Sequence, residues 1–190
     1  MRMGFKIRLY KEEIDMKSLV RLRDYSKDDI LRIFNIADEL HSGEYAHFLS
    51  GKTVVMFFPD SSIRTRVAFE KMIADMYSLS KIRGDFLQDN YLFCGAKGNI
   101  GLAWKEAAEV MELSFSQCCP KGHEMDGISF CTDIDVAVIN KDIICTDSFP
   151  KEDEEVTGDV IDSCYFVGYG FKKNLLEIQQ AIILYNLMNG

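Results

Sequence analysis

Residues 57–70 read Phe-Phe-Pro-Asp-Ser-Ser-Ile-Arg-Thr-Arg-Val-Ala-Phe-Glu. The apolar run before and into this stretch, KTVVMFF at 52–58, predicts a buried strand closed by Pro59-Asp60. Ser61-Ser62 reads as the cap of a helix with an apolar face of Phe69, Ile73, Met76 and Leu79, stopping near Arg83-Gly84. A strand, a tight loop and a helix start leave unpaired backbone N–H groups and the positive end of the helix dipole at one point. Ser62 and Thr65 add hydroxyl donors there, and Arg64 and Arg66 add guanidinium forks that match phosphate oxygens. The pattern predicts a site for phosphate or a phosphate-like anion. The plainer alternative is a capped helix with two solvated arginines.

Upstream, residues 1–25 show no clean period. Ser26-Lys27-Asp28-Asp29 reads as an N-cap with an acid at N3, followed by helical spacing of Ile30, Ile33, Phe34, Ala37 and Leu40 and a stop at Ser42-Gly43. Downstream, strands and helices alternate. Residues 91–95 predict a strand, 95–101 a Gly-rich loop, 102–113 a helix and 114–119 a strand closed by Pro120. Short strands are expected at 135–139, 143–145 and 165–167, a short helix at 160–162 and a last helix at 174–187. This alternation predicts an α/β fold of mostly parallel sheets with helices on both faces. The first half offers two helices but one strand, and one strand is not a sheet.

The chain has 190 residues, 47% of them hydrophobic, with 13 Gly and 3 Pro, so it can bury a core and is neither disordered nor collagen-like. Its net charge of −8 is unevenly spread. Residues 1–84 carry 15 Lys and Arg against 12 Asp and Glu, residues 85–190 carry 7 against 18, and all eight Arg lie at or before Arg83. Such a chain is a poor nucleic-acid binder, and an anion site belongs in the first half. The six Cys form no C-x-x-C pair and lie in apolar runs, which predicts buried, reduced thiols in a cytoplasmic protein. No apolar h-region opens the chain and no stretch reaches the length of a membrane span. Residues 95–101 lack both G-x-G-x-x-G and a P-loop, so a plain strand-to-helix turn is expected. The vicinal Cys118-Cys119 pair reads as a strand end, and Trp104 as core.

The 57–70 segment resembles the Ser-Thr-Arg-Thr-Arg carbamoyl-phosphate motif of the aspartate/ornithine carbamoyltransferase family, down to the Phe69-Glu70 that follows it. Gly51-Lys52-Thr53-Val54-Val55 and the helix beginning at Ser26 are similar to the family's approach to that motif. In the second half, residues 93–104, Glu106-Ala107-Ala108, Pro120-Lys121-Gly122-His123-Glu124, Ile144-Cys145-Thr146-Asp147, residues 154–157 and 160–163, and Gln179-Gln180-Ala181 resemble successive family segments. Asn99 and the Ala-Trp-x-Glu-Ala-Ala run lean toward the ornithine branch.

The resemblance implies an amino-acid carbamoyltransferase of two domains: a carbamoyl-phosphate-binding domain over 1–74, incomplete and joined by a last helix over 172–190, and an amino-acid-binding domain over 75–190. It implies Arg64 and Thr65 as catalytic groups, and Ser62, Arg64, Thr65, Arg66 and Asn99 as substrate ligands. It further implies carbamoyl phosphate and an amine as substrates, no metal, no cofactor, and a trimeric assembly. Against it stand three missing family segments: His-Pro-x-Gln, Ser-Met-Gly and His-Cys-Leu-Pro. Lys71-Met72-Ile73 run straight into what looks like the linker helix, Ser148-Phe149-Pro150-Lys151 follow Thr146-Asp147, and only His41, His47 and His123 occur. Ile63 stands for a Thr, Ala68 for a Ser, and Leu175 for an Arg. The expectation is a carbamoyltransferase with internal deletions. The alternatives are a non-catalytic anion-binding domain that keeps the fold, or an enzyme acting on a different amine or amide.

Overall fold

A computed structural model of the chain describes residues 6–9, 12–15, 22–45, 47–48, 50–51, 63–147 and 158–189. The strand expected over 52–58, the loop at 151–155 and Ser62 lie outside the described residues. Two antiparallel strands, β1 (Lys6–Leu9) and β2 (Glu12–Asp15), form a small hairpin that no sequence periodicity signalled.

A 3₁₀ turn at Leu22–Asp24 leads into α1 (Lys27–His41). Ser26 caps it as expected: the Ser26 hydroxyl accepts from the Asp29 N–H at 3.2 Å, and the Asp29 carboxylate accepts from the Ser26 N–H at 2.8 Å. This reciprocal pair satisfies two donors that the first turn would otherwise leave orphaned. Helix α2 (Ile63–Ile82) runs unbroken for 20 residues. It therefore joins the Arg-Thr-Arg segment and the linker-like segment from Ala74 onward into one element, and position 74/75 falls inside it.

The second half builds a four-stranded parallel sheet in the order β5-β4-β3-β6. Its strands are β3 (Asn90–Cys94), β4 (Ser114–Cys118), β5 (Phe130–Cys131) and β6 (Ile143–Thr146). Helix α3 (Asn99–Met111) connects β3 to β4, and α4 (Ile134–Ala137) lies between β5 and β6. Then come α5 (Gly158–Ile161), α6 (Gly168–Phe171) and α7 (Leu175–Met188). The parallel α/β architecture is the one the alternation predicted.

Three local expectations are corrected. Residues 135–139 do not form a strand. Asp133 caps a turn of helix there, its carboxylate accepting from the Asp135 N–H at 3.0 Å, and this local hydrogen bond outweighs the apolar run that follows. Residues 165–167 do not form a strand either: Tyr165 is 86% exposed at a turn that the Ser163 hydroxyl organises. Helix α3 starts at Asn99 rather than 102, which moves Asn99 from a loop into the first helical turn. None of the six cysteines is in a disulfide, and where buried thiols were expected only Cys94 and Cys119 are buried residues; Cys164 is exposed.

One main core holds the molecule together. Ile30, Ile33 and Ile36 of α1, Met72, Ile73 and Met76 of α2, Tyr91 and Phe93 of β3, Trp104 and Met111 of α3, and Ile178 and Leu184 of α7 meet in it. Trp104 is core, at 4% exposure, as expected. Helix α7 packs on α1 and α2. The Gln179 amide donates to Glu70 at 2.8 Å, and the buried Asn186 amide donates to the Tyr25 hydroxyl at 3.0 Å. The opposite sheet face carries a smaller cluster of Leu92, Cys94 and Ala137 with Cys118, Cys131 and Val138.

Candidate functional site

The strand order creates the site. From β3 the chain moves to β4 and then β5 on one side, and it returns to β6 on the other. The connections therefore diverge at the C-terminal ends of β3 and β6, which is where parallel sheets bind ligands. Cys94, the last residue of β3, pairs with Thr146, the last of β6. Gly95 to Gly98 turn the chain into α3, and Asp147 follows Thr146.

The start of α3 is open. Its N-cap is Gly98, which supplies no side-chain hydrogen bond, so the first N–H groups face the crevice. The Asp147 Oδ2 lies 3.6 Å from where a Gly98 Cβ would stand, which places a carboxylate at the positive end of the helix. Asn99, the expected amine ligand, is exposed in the same turn. From sequence, Asp147 had no role beyond ending a family-like strand. The signal for it was an acid directly after the apolar run Ile143–Thr146.

The turn itself is held from below. Gly95 adopts φ +145°, a conformation that side chains disfavour. Its N–H donates to the Cys118 carbonyl at 3.0 Å, and the Lys97 N–H donates to the His123 carbonyl at 2.9 Å. Gln117 of β4, fully buried, clamps this turn to the loop after β4. Its amide donates to the Gly95 carbonyl at 2.8 Å and the His123 carbonyl at 3.2 Å, while its carbonyl accepts from the Met125 N–H at 2.8 Å. Gln117 also escaped the sequence reading, where it was one polar residue inside a strand. The Lys97 ammonium pairs with Asp126 at 2.8 Å across the same two loops.

Gly101 fixes how closely α3 approaches the sheet. A Cβ there would meet the Phe93 ring at 2.8 Å and the Met125 sulfur at 3.4 Å, and Phe93 is completely buried. Gly101→Ala is expected to destabilise the protein by about 1–3 kcal/mol, the usual cost of overpacking a core. Urea unfolding measures this directly, and an unchanged midpoint would show that α3 can rise without penalty.

Helix α2 brings the arginine segment to the same end of the sheet. Its C-terminus leads through residues 83–89 into the start of β3, and Lys71 and Asp75 lie within electrostatic reach of Cys145 near the end of β6. The helix therefore runs against the strands. Arg64 is eleven residues before Asp75, about 16 Å further along the axis and beyond the strand ends. Arg64, Thr65 and Arg66 occupy the first turns of α2. Asp75 itself is buried and ion-paired with Lys71. Burial raises its carboxyl, an effect the Lys71 ammonium opposes.

Of the three histidines, only His123 borders the turn before α3, through its backbone carbonyl. His41 ends α1 and lines a cavity of about 520 Å³ with Tyr77, Lys81 and Phe171, at the far end of α2. His47 and His123 are exposed in loops. Among the described residues no group of His, Cys, Asp or Glu could hold a metal ion, and no helix is long and apolar enough to cross a membrane.

Comparison with known proteins gives the following likenesses. Residues 17–83 match the family described as aspartate/ornithine carbamoyltransferase, carbamoyl-P binding domain. The ornithine carbamoyltransferase of Campylobacter jejuni (strain 81-176) is 44% identical over 61 residues, which is 32% of this chain and 20% of that protein. That of a Nitratiruptor species is 29% identical over 130 residues, 66% of this chain and 40% of that protein. The chain thus covers between a fifth and two fifths of the length of these relatives. Among solved structures, the ornithine carbamoyltransferase of Burkholderia thailandensis superposes with a TM-score of 0.72 at 16% identity, covering 88% of this chain and 97% of that one. The anabolic enzyme of Campylobacter jejuni gives 0.69 at 15%, covering 92% and 100%.

Proposed function

Because the chain belongs to the aspartate/ornithine carbamoyltransferase family, we propose that it binds carbamoyl phosphate at the N-terminus of α2, and that the reaction its fold serves is carbamoyl transfer to an ornithine-like amine. What supports this reading is the Arg64-Thr65-Arg66 motif in the first turns of α2, a helix whose N-terminal end lies toward the strand C-terminal ends, where the open start of α3 and Asp147 lie. Ser62, Arg64, Thr65 and Arg66 hold the phosphate and take up its growing charge. Asn99 and Asp147 meet the cationic amino-acid substrate. In the reaction the amine nitrogen attacks the carbonyl carbon, the bond from that carbon to the phosphate oxygen breaks, and the proton the amine gives up ends on the departing phosphate. Positioning and charge stabilisation do the work.

The domain reading follows: residues 1–74 on the carbamoyl-phosphate side and 75–190 on the amino-acid side, with α7 packed against the former. A trimer and a cytoplasmic setting belong to the same proposal. Structural likeness that spans a whole family chain, from a sequence of only 190 residues, supports the internal shortening. A match of 61 residues making up 20% of the Campylobacter jejuni relative implies a protein of about 305 residues.

Catalysis is where the shortening tells. Each preorganised donor lost costs about 10²–10³ in rate, and the His-Pro-x-Gln, Ser-Met-Gly and His-Cys-Leu-Pro segments are missing from this sequence. A binding role with little turnover is favoured by one observation: the histidine-bearing segments of the family are missing from this sequence. Calorimetric titration with carbamoyl phosphate tests the proposal. Saturable binding is expected, weakened about 10- to 150-fold by Arg64→Ala, the loss of a charged hydrogen bond. A folded chain that gives no heat, or the same affinity in Arg64→Ala, would sink it. Phosphate release on adding ornithine, then a panel of other amines, separates a transferase from a binding domain.

A further inference from the structure

We propose that Cys118 and Cys131 form a reversible disulfide across β4 and β5, made by exchange with a small disulfide of the glutathione type. The two residues are direct register partners on neighbouring parallel strands, and their side chains lie on the same sheet face, packed against Leu92 and Ala137. Paired residues on adjacent strands stand about 4.8 Å apart, inside the range of about 4.4–6.8 Å that a disulfide spans between α-carbons. Both thiols are free and half-buried. Cys131 also lines a cavity of about 210 Å³ with Ser116, Ser129 and Lys141, which lets a small reagent reach it.

The neighbouring thiols make less suitable partners. Cys94 is the third member of the row, in register with Cys118 on the other side, but it is only 6% exposed. Three thiols on three successive strands span about twice the strand spacing, too wide to close around one ion. Cys119 follows Cys118 directly and is buried. The Cys131 thiol donates weakly to the Asp133 carbonyl at 3.4 Å and must leave that contact to react.

The exchange balances as follows. The Cys131 thiolate attacks one sulfur of the small disulfide and expels a first small thiolate. The Cys118 thiolate then attacks the Cys131 sulfur and expels the second. Two protein thiols are oxidised to one disulfide, one small disulfide is reduced to two thiols, and the two protons leave on those thiols. The product staples the two-residue strand β5 to β4. β5 is otherwise bound at its ends by the Gln117 N–H to the Ser129 carbonyl at 3.0 Å and the Cys119 N–H to the Cys131 carbonyl at 3.1 Å. It also tethers both ends of the loop that Gln117 clamps beneath the start of α3.

The test uses the full chain carrying Cys164→Ser, which removes the exposed thiol, incubated natively with oxidised glutathione and analysed by mass spectrometry. The expected result is the loss of two hydrogens per chain, no retained glutathione, a cross-linked peptide pair containing Cys118 and Cys131, and reversal by dithiothreitol. Adding Cys118→Ser or Cys131→Ser should abolish the two-hydrogen loss. A link mapped to Cys118–Cys119 or Cys94–Cys118, retained glutathione without any link, or a two-hydrogen loss that survives either variant would overturn the proposal. Mapping of the Cys164→Ser chain alone decides if the further variants do not fold.

Discussion

Gln117→Leu is expected to destabilise the protein by about 2–5 kcal/mol, a large share of the roughly 5–15 kcal/mol that keeps a domain folded. Leucine fits the space but offers neither donor nor acceptor. The Gly95 carbonyl and the Met125 N–H lose their partner in a buried setting, and each costs about 1–3 kcal/mol when unpaired. The His123 carbonyl belongs to an exposed residue, so water replaces that bond at small cost. Gln117→Glu gives a sharper test. At neutral pH it sets a carboxylate against two carbonyl oxygens, and on acidification the protonated acid regains one donor. Its deficit should therefore shrink between pH 7 and pH 4 while that of Gln117→Leu does not. Urea unfolding of both variants at the two pH values reads this. A loss below about 1 kcal/mol in Gln117→Leu would mean that water enters the loop freely. Because the same side chain sets the turn before Asn99, the variant should also weaken amine recognition more than carbamoyl-phosphate binding.

That residue shows where the sequence stopped being legible. The capping box at Ser26 and Asp29, the strands β3, β4 and β6 and the length of α2 were readable because each has a local cause: a cap, an apolar run or an unbroken helical face. β5 has no such cause. It is two residues long and is held by backbone bonds to β4, so nothing in Phe130-Cys131 announces it. The start of α3 was misplaced because Gly98 caps without a side chain, leaving no Ser, Thr or Asp to mark the boundary. The functional half divides the same way. The Ser62 to Arg66 segment was visible as a motif, whereas the positions of Gln117 and Asp147 beside the start of α3 come from β4 and β6 flanking β3, a strand order that only the folded sheet reveals.

The continuity of α2 matters for function as well as for fold. Under the proposed function the phosphate turn and the amino-acid side share one helix and one core, so the two halves cannot open and close freely about a hinge at that point. Met72, Ile73 and Met76 are completely buried in the core that also holds Phe93 and Trp104. Carbamoyl phosphate affinity should thus depend little on whether the amine is present, and calorimetry with and without ornithine reads that coupling directly.

Alkaline solution should unfold this protein between about pH 10 and pH 12, and Tyr77, Tyr91 and Tyr185 are the reason. Tyr77, Tyr91 and Tyr185 are 2%, 0% and 6% exposed. Each donates its hydroxyl proton inward: Tyr77 to Asp38 at 2.8 Å, Tyr91 to the Phe86 carbonyl at 2.7 Å, and Tyr185 to Asp29. Burial raises all three phenols, with the carboxylates of Asp38 beside Tyr77, Asp89 near Tyr91 and Asp29 beside Tyr185 adding to it; Tyr185 is pushed up to about 12. The unfolded chain releases these protons near pH 10, and the folded chain holds them longer. Above pH 10 the unfolded state therefore binds fewer protons, and stability falls as pH rises through the folded values. Burial of the Cys145 thiol acts in the same direction. Absorbance titration should show the more exposed of the eight tyrosines ionising near pH 10, with Tyr77, Tyr91 and Tyr185 following in a steeper step that coincides with loss of circular dichroism. Tyr185→Phe keeps the ring and removes the proton. It should cost about 1 kcal/mol at neutral pH for the lost hydrogen bond and make the alkaline decline shallower. If all the tyrosines ionise together near pH 10 while the fold persists, the hydroxyls of Tyr77, Tyr91 and Tyr185 are open to water and the core around α1, α2 and α7 is looser than their burial describes.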